Sequence, residues 1–494
     1  MPAFVLSWPI GIERILLGVF ALLAVLGPLC VSGERNPGRT VAAATHSAAG
    51  LLAVFAADVI TLLVAWEILT FAAFFLIRSA KTRAVAAGSN SSRDDTPAAA
   101  AYWYVAAQIV GAALFFVAAV VHFSRTGSLA VARLHVDAQP FIVLAVLIKT
   151  AMMPLHGWLV SSYTAASPAS GIVLSVFTTK VGVLTAARLV DFSILGLPVL
   201  TYIGAIVAVV AVVFALTQSS ARRLLSFHIV SQVGYMLVGV GLVAGGDSLG
   251  VTAGLFHAGN HIVYKALLFT VIAIVSTRLG HDDLRRMGGL ARSMPIVFVC
   301  CVIGAGAIAG VPFLSGYASK ELLKLAAGYT LPSRLLTIAT VGTGLSFIKF
   351  TYLIFLAPPA HEGLESRDPA DAGRVHYALT TTAVVLAALS VVFGVIPGTI
   401  SGITDHRFFA PAALGAGLWP LGTSVILWVI LRRPLVGGLA QHRSYERPVR
   451  RLLTRVGPPF LRGLARVHEG QPQTYFGFVV LFAVLLFGAL FVAR

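Results

Sequence analysis

Charge is what this sequence has least of. Asp, Glu, Lys and Arg make up 11% of the 494 residues, against 58% hydrophobic. That balance excludes a soluble domain of this length and identifies a polytopic membrane protein. Cysteine is nearly absent: Cys30, Cys300 and Cys301 all lie in apolar runs. They have neither the spacing nor the partners for an iron–sulfur or zinc site, and the adjacent pair reads as packing. No Gly-rich phosphate loop follows a strand pattern, so no nucleotide cofactor is expected. The first apolar segment, about Ile12 to Cys30, lacks a small-residue cleavage site and reads as a first span rather than a signal peptide. A formal net charge of +17 does not indicate nucleic acid here, because the basic residues fall between spans in the positive-inside pattern.

Lysine is also scarce, and its placement is informative. There are seven (81, 149, 180, 265, 320, 324 and 349), which leaves 29 arginines. Loops are nearly all arginine, whereas six of the seven lysines fall within or beside apolar spans. Arginine does not release its proton in a protein, but a desolvated lysine does so far more readily. Proton exchange is the simplest reason to keep lysine in the spans. Compositional drift in the loops is the bland alternative.

The most telling stretch is Leu255 to Phe269, inside an apolar run from about Gly250 to Ser276. His257, His261 and Lys265 recur every four residues and so stack on one face of a helix. One buried histidine is most simply a satisfied core group, as Asn260 is read here. Three titratable nitrogens in a row along a membrane helix are costly enough to imply function, and they read as a proton-relay element.

In chain order, spans two and three run from about Val41 to Ile77 and carry Asp58 and, nine residues on, Glu67. Span five, from about Pro140, holds Lys149 followed by Pro154, which should interrupt the helix. Span six, about Pro168 to Arg188, contains Lys180, and span eight contains His228, Ser231 and Gln232. Span ten passes Gly310, Pro312 and Gly316 before Lys320 and Glu321. This second break mirrors the first, as expected of two related bundles with discontinuous helices around buried ionisable groups. The reading is all-α, with about fourteen spans including a last one at Phe476 to Val492. The basic loops fall on one side, with both termini on the other. Four segments are expected: an N-terminal span (1–40), a first bundle (41–190), a second bundle (191–356) and C-terminal spans (357–494). The last includes an arginine-rich stretch at 432–466 that suits a neighbouring subunit or anionic lipid.

These residues resemble the antiporter-like subunits shared by respiratory complex I and Mrp-type multisubunit sodium/proton antiporters, most of all those of the Mrp type. The resemblance rests on Ala57-Asp58 through Trp66-Glu67, Lys149 through Pro154-Leu155-His156-Gly157-Trp158, and Thr179-Lys180-Val181-Gly182. It continues through Leu225 to Tyr235, His257 with His261 and Lys265, Met287-Gly288-Gly289-Leu290, and Ser319-Lys320-Glu321, covering about Asp58 to Tyr352 in the family's order.

The resemblance implies a proton-translocating subunit of a larger membrane complex in the cell's inner membrane, with no redox centre or cofactor of its own. Glu67 and Lys149 then correspond to the buried ion pair of a first half-channel. Lys180, His257, His261 and Lys265 correspond to a central polar axis. Lys320 with Glu321 corresponds to the end of a second half-channel, and Asp58 to an acid near the membrane surface. The family pattern departs in two places: only 57 residues precede Asp58, so one or two N-terminal spans are expected to be lacking, and the acid usual after Trp158 is replaced by Leu159-Val160-Ser161. A cation/proton antiporter moving protons, with sodium as the candidate counter-ion, is the first reading. The alternatives are a pumping subunit of a complex I-like oxidoreductase or membrane hydrogenase, the membrane subunit of an inorganic-carbon uptake complex, and a scaffold without transport. Neighbouring genes discriminate among them.

Overall fold

The computed structural model describes residues 5–80, 96–191, 199–242, 248–358, 369–404 and 406–437. The expected last span, most of the arginine-rich stretch, the loop basic residues Lys81, Arg83 and Arg93, and the acidic residues Glu362, Glu365 and Asp368 lie outside these residues.

Everything long is helical. α1 (Glu13–Ser32), α2 (Pro37–Phe55), α3 (Val59–Arg78) and α4 (Pro97–Thr126) are followed by two short helices, α5 (Gln139–Lys149) and α6 (Gly157–Ala165). Next come α7 (Pro168–Val176), α8 (Thr178–Leu189), α9 (Val199–Leu216), α10 (Ala221–Gly241) and α11 (Ser248–Leu279). The chain continues through α12 (Leu290–Ser293), α13 (Pro295–Ala309), α14 (Ser315–Ala327), α15 (Leu331–Thr351), α16 (Pro369–Val395), α17 (Pro397–Ser401) and α18 (Pro411–Gly437). Among the described residues, nine helices are long and apolar enough to cross a bilayer, counting α7 with α8 as one. α2, α9 and the interrupted pairs α5/α6 and α13/α14 supply the remaining crossings. The chain is a multi-pass α-helical membrane protein, as expected.

The helix starts are legible in the side chains. Asn36, Asp58, Thr96, Ser167 and Ser220 each accept a hydrogen bond from a backbone N–H of the following first turn. Such caps satisfy amides that the helix itself leaves unpaired.

Both expected breaks are present, and each is the fourth crossing of a run of five: α2, α3, α4, α5/α6, α7/α8, and then α9, α10, α11, α13/α14, α15. α5 ends at Lys149, and Ala151 just beyond it takes φ +56° before Pro154. α13 ends at Gly310, with φ +91°, a conformation that glycine adopts without steric cost. Span six differs from its expected single helix: α7 and α8 meet at Phe177, whose ring fills the space beside Gly50 of α2.

α11 is the hub. It packs on α10, α16, α7, α14 and α13, and also touches α1 and α8. Close approach of α9 and α10 depends on paired glycines: a Cβ on Gly204 would lie 2.7 Å from the Gly234 carbonyl oxygen. Small residues let backbones meet where lipid offers no competing hydrophobic drive. Ion pairs gather near helix ends instead. Arg188 at the end of α8 binds Glu13 at 2.8 and 2.5 Å and the carbonyls of Ala53, Val54 and Ala56. Arg222 joins Asp282 at 3.0 Å to the Ala166 carbonyl that ends α6, and Arg39 pairs with Glu34.

Candidate functional site: a buried titratable axis

The first cluster lies between α3 and α5. Because α5 stops at Lys149, this side chain leaves the helix end and enters the protein interior, where it is 1% exposed. Its ammonium donates to the carbonyl oxygen of Trp66 at 3.3 Å and to the Thr70 hydroxyl at 3.4 Å, and it lies 4.7 Å from the centre of the Trp66 ring. The Glu67 carboxylate is within electrostatic reach of Lys149 but makes no ion-pair contact with it, and its buried Oε1 has no hydrogen-bond partner. The expected ion pair is therefore separated. Its physical reason is that the lysine's donors are already taken by α3's own backbone and by Thr70.

The second cluster surrounds α11. Lys180, fully buried just after the α7/α8 junction, donates to the Ser175 carbonyl at 2.7 Å. His257 lies 2.9 Å from Ser319 Oγ through Nδ1 and 3.2 Å from Gln232 Oε1 through Nε2, with the Tyr235 ring stacked on it. Since the Gln232 oxygen only accepts, Nε2 carries the hydrogen. His261 has no partner on either nitrogen, nor has Lys265 on Nζ, and all three side chains of the triplet are 0% exposed. Charges on Lys180 and Lys265 reach His261, and Lys180 reaches Lys265 and His257.

The third cluster follows the second break. Lys320 on α14 donates to the Ile308 carbonyl at 2.6 Å, and its ammonium lies 5.1 Å from the Tyr235 ring centre. It is within electrostatic reach of His257 and His228. Glu321 does not share this environment. Neighbouring residues on a helix project about 100° apart, and Glu321 is turned towards Lys324 and His406, with Oε2 buried and unpartnered.

Asp58 stands apart from all three clusters. Its carboxylate accepts from the Thr61 amide (2.8 Å), the Thr61 hydroxyl (2.5 Å) and the Val5 amide (2.7 Å), which is the geometry of an N-cap. Lys349 is likewise engaged in capping, donating to the carbonyls of Leu216 and Gln218 at the end of α9.

Two histidines gain weight. His228, a marginal candidate in the sequence, is fully buried beside the axis, 2.8 Å from Ser346 Oγ and within reach of Lys265 and Lys320. His46 on α2 was missed. It is fully buried between α3 and α8, and as a lone histidine among Ala, Ser and Gly it has no periodic partner to announce it.

Titratable groups thus run from Glu67 and Lys149 through the α11 triplet to Lys320, with several donors and acceptors left open for water. Unpartnered polar groups this deep are costly unless hydrated or used. Such a file offers sites for successive proton binding. It has no nucleophile or phosphate cradle, and among the described residues no His, Cys, Asp and Glu cluster could hold a metal.

Known proteins share this arrangement of helices. A subunit in the structure of the Mrp complex from Dietzia sp. DQ12-45-1b superposes with a TM-score of 0.69 at 22% identity, covering 86% of this chain and 85% of that one. A chain of the membrane-bound sulfane sulfur reductase, an archaeal respiratory membrane complex, gives 0.69 at 22% identity over 97% of this chain and 88% of its own. Among sequences, NADH-ubiquinone oxidoreductase chain 5 of Dictyostelium discoideum is 35% identical over 187 residues, which is 37% of this chain and 27% of that protein. Hydrogenase-4 component B of Escherichia coli K12 is 29% identical over 334 residues, 59% of this chain and 49% of that protein. The matched stretches therefore span half or less of these relatives' own length. The family profile described as "NADH:quinone oxidoreductase/Mrp antiporter, TM" matches residues 56–346, more than half of the chain and all of the axis, and the protein belongs to that family.

Proposed function

We propose that the chain is a proton-translocating membrane subunit, moving protons along the buried Glu67, Lys149, Lys180, His261, Lys265 and Lys320 axis by stepwise transfer through bridging water. The single observation that carries this reading is the pairing of Lys265 Nζ with both His261 nitrogens as buried groups that no protein atom satisfies. A structural lysine would have taken a carbonyl, as Lys349 does. Neighbouring positive charges make it hard for Lys180, His261 and Lys265 to be charged at once, so a proton arriving at one favours release from the next. His257 and His228 border the path through Ser319 and Ser346.

The partners are other membrane subunits of a larger complex in the cell's inner membrane, and sodium is the candidate counter-ion. The likeness in fold to an Mrp complex supports a cation/proton antiporter as the first reading. The curated relatives named as an NADH-ubiquinone oxidoreductase chain and a hydrogenase component favour the second, a pumping subunit powered by redox chemistry on other chains. Anionic lipid at the 432–466 stretch is part of the same proposal.

The test is proton or sodium/proton exchange in inverted vesicles carrying the chain with its genomic neighbours, wild type against Lys149→Ala and Lys265→Ala. Loss of exchange in both, with the complex still assembled, supports the relay. Unchanged exchange in both overturns it in favour of a scaffold.

A further inference from the structure

The axis has a gap. Lys149 and Lys180 are the successive lysines of the first bundle, yet no hydrogen bond joins their surroundings directly. What lies between them is His46, with Lys149 within electrostatic reach and the Phe177 ring edge-on to the imidazole at 5.8 Å. Its Nδ1 is 3.0 Å from the Leu69 carbonyl oxygen, one residue before the Thr70 hydroxyl that binds Lys149. Its Nε2 is 3.4 Å from Thr178 Oγ1, two residues before Lys180. Thr178 Oγ1 is in turn 3.4 Å from the Tyr104 hydroxyl on α4, and Tyr104 lies within electrostatic reach of Glu67.

The acceptors fix the direction of this chain. A carbonyl oxygen only accepts, so neutral His46 carries its hydrogen on Nδ1, and Nε2 is a bare base. Thr178 must then donate to Nε2, and with its single hydrogen spent it accepts from Tyr104. The result is an ordered run of hydroxyls, Tyr104 to Thr178 to His46, ending on a basic nitrogen. A merely structural histidine needs no second hydroxyl behind its partner.

Resting on the proton-transport reading above, we propose that His46 is a third proton-exchanging member of the Glu67 and Lys149 site, linked to Glu67 by the Tyr104 and Thr178 hydroxyls. Thr178 passes its proton to Nε2 and takes one from Tyr104. Tyr104 regains a proton from the Glu67 carboxylic acid through one bridging water. The net change is one proton moved from carboxyl to imidazole, leaving carboxylate and imidazolium, with every hydroxyl restored and its hydrogen bond reversed. The return step runs the same bonds backwards. Because both exchanges use Nε2, His46 stores a proton beside the path and the Leu69 carbonyl holds the ring in place throughout.

The test compares His46→Gln, Thr178→Val and Tyr104→Phe in the same vesicles across pH, with Lys149→Ala as the control and complex assembly checked for each. His46→Gln keeps an amide able to donate to Leu69 and an acceptor for Thr178 but does not take up a proton. The expected result is exchange at least about tenfold slower with an altered pH profile. Thr178→Val and Tyr104→Phe should give the same profile, and the His46→Gln and Thr178→Val double variant should be no slower than either single one. Wild-type rate and pH profile in Thr178→Val and Tyr104→Phe overturn the proposal, whether or not His46→Gln assembles. If Lys149→Ala also exchanges normally, the transport reading fails with it. If Lys149→Ala alone is inactive, His46 is a strut between α2, α3 and α8 and the transport reading survives.

Discussion

Lys320 Nζ donates at 2.6 Å to the carbonyl oxygen of Ile308, twelve residues earlier and across the break between α13 and α14. In an unbroken helix that carbonyl would accept from the amide of residue 312, but residue 312 is proline and has no N–H. The proline that interrupts the crossing therefore creates the acceptor that holds the lysine. Break and buried charge are one device.

A pair of substitutions separates the two roles of this lysine. Lys320→Met leaves the Ile308 carbonyl unsatisfied, which costs about 1–3 kcal/mol, and should lower the melting temperature in detergent. Lys320→Arg restores a donor and should recover stability relative to Met. Arginine keeps its proton, however, so exchange in vesicles should stay lost in both. Recovery of exchange by arginine would show that Lys320 needs only to be positive.

Asp58 gives the opposite expectation. With three hydrogen bonds to its carboxylate it acts as the cap of α3, so Asp58→Ala should cost about 1–2 kcal/mol of stability. Asp58→Asn retains capping ability and should leave both melting temperature and exchange close to wild type. Loss of exchange in the asparagine variant at unchanged stability would return Asp58 to the proton path.

The separation of Glu67 from Lys149 also has a measurable consequence. Removing one partner of a buried contact pair typically costs about 3–5 kcal/mol, because the other charge is stranded. Lys149 here keeps Trp66 and Thr70 whatever stands at 67. Glu67→Gln should therefore cost less than about 1 kcal/mol in detergent unfolding while slowing exchange at least about tenfold. A loss near the contact-pair value would show that the two groups touch in the working protein.

The sequence announced most of this architecture because its signals were local. Pro154 and Pro312 mark breaks through chemistry confined to one residue, and His257, His261 and Lys265 declare a face by period alone. The capping residues Asn36, Asp58 and Ser220 are legible for the same reason. What was hidden depends on contacts between distant segments. His46 has meaning only because Thr178 lies 132 positions later, and the Glu67 and Lys149 separation follows from where the Trp66 carbonyl points. The turn of Glu321 away from Lys320 was within reach of helical geometry, since adjacent residues diverge. The α7/α8 junction at Phe177 had no proline or glycine of its own to signal it.

Lys265 and Lys349 supply the sharpest contrast, since both are buried lysines on spans. Lys349 is held by the Leu216 and Gln218 carbonyls, and Lys349→Met should destabilise by about 1–3 kcal/mol through those lost partners, with exchange per assembled complex unchanged. Lys265 Nζ has no hydrogen-bond partner, only the Phe347 ring 5.8 Å away. Methionine of similar length removes an unsatisfied polar group from that position at little cost in packing. Lys265→Met should therefore raise the melting temperature in detergent, or leave it unchanged, while abolishing exchange. Such a gain in stability at the expense of transport is the mark of a residue kept for its proton. A marked fall in melting temperature for Lys265→Met, with exchange in the surviving complexes intact, would instead make Lys265 a structural group like Lys349.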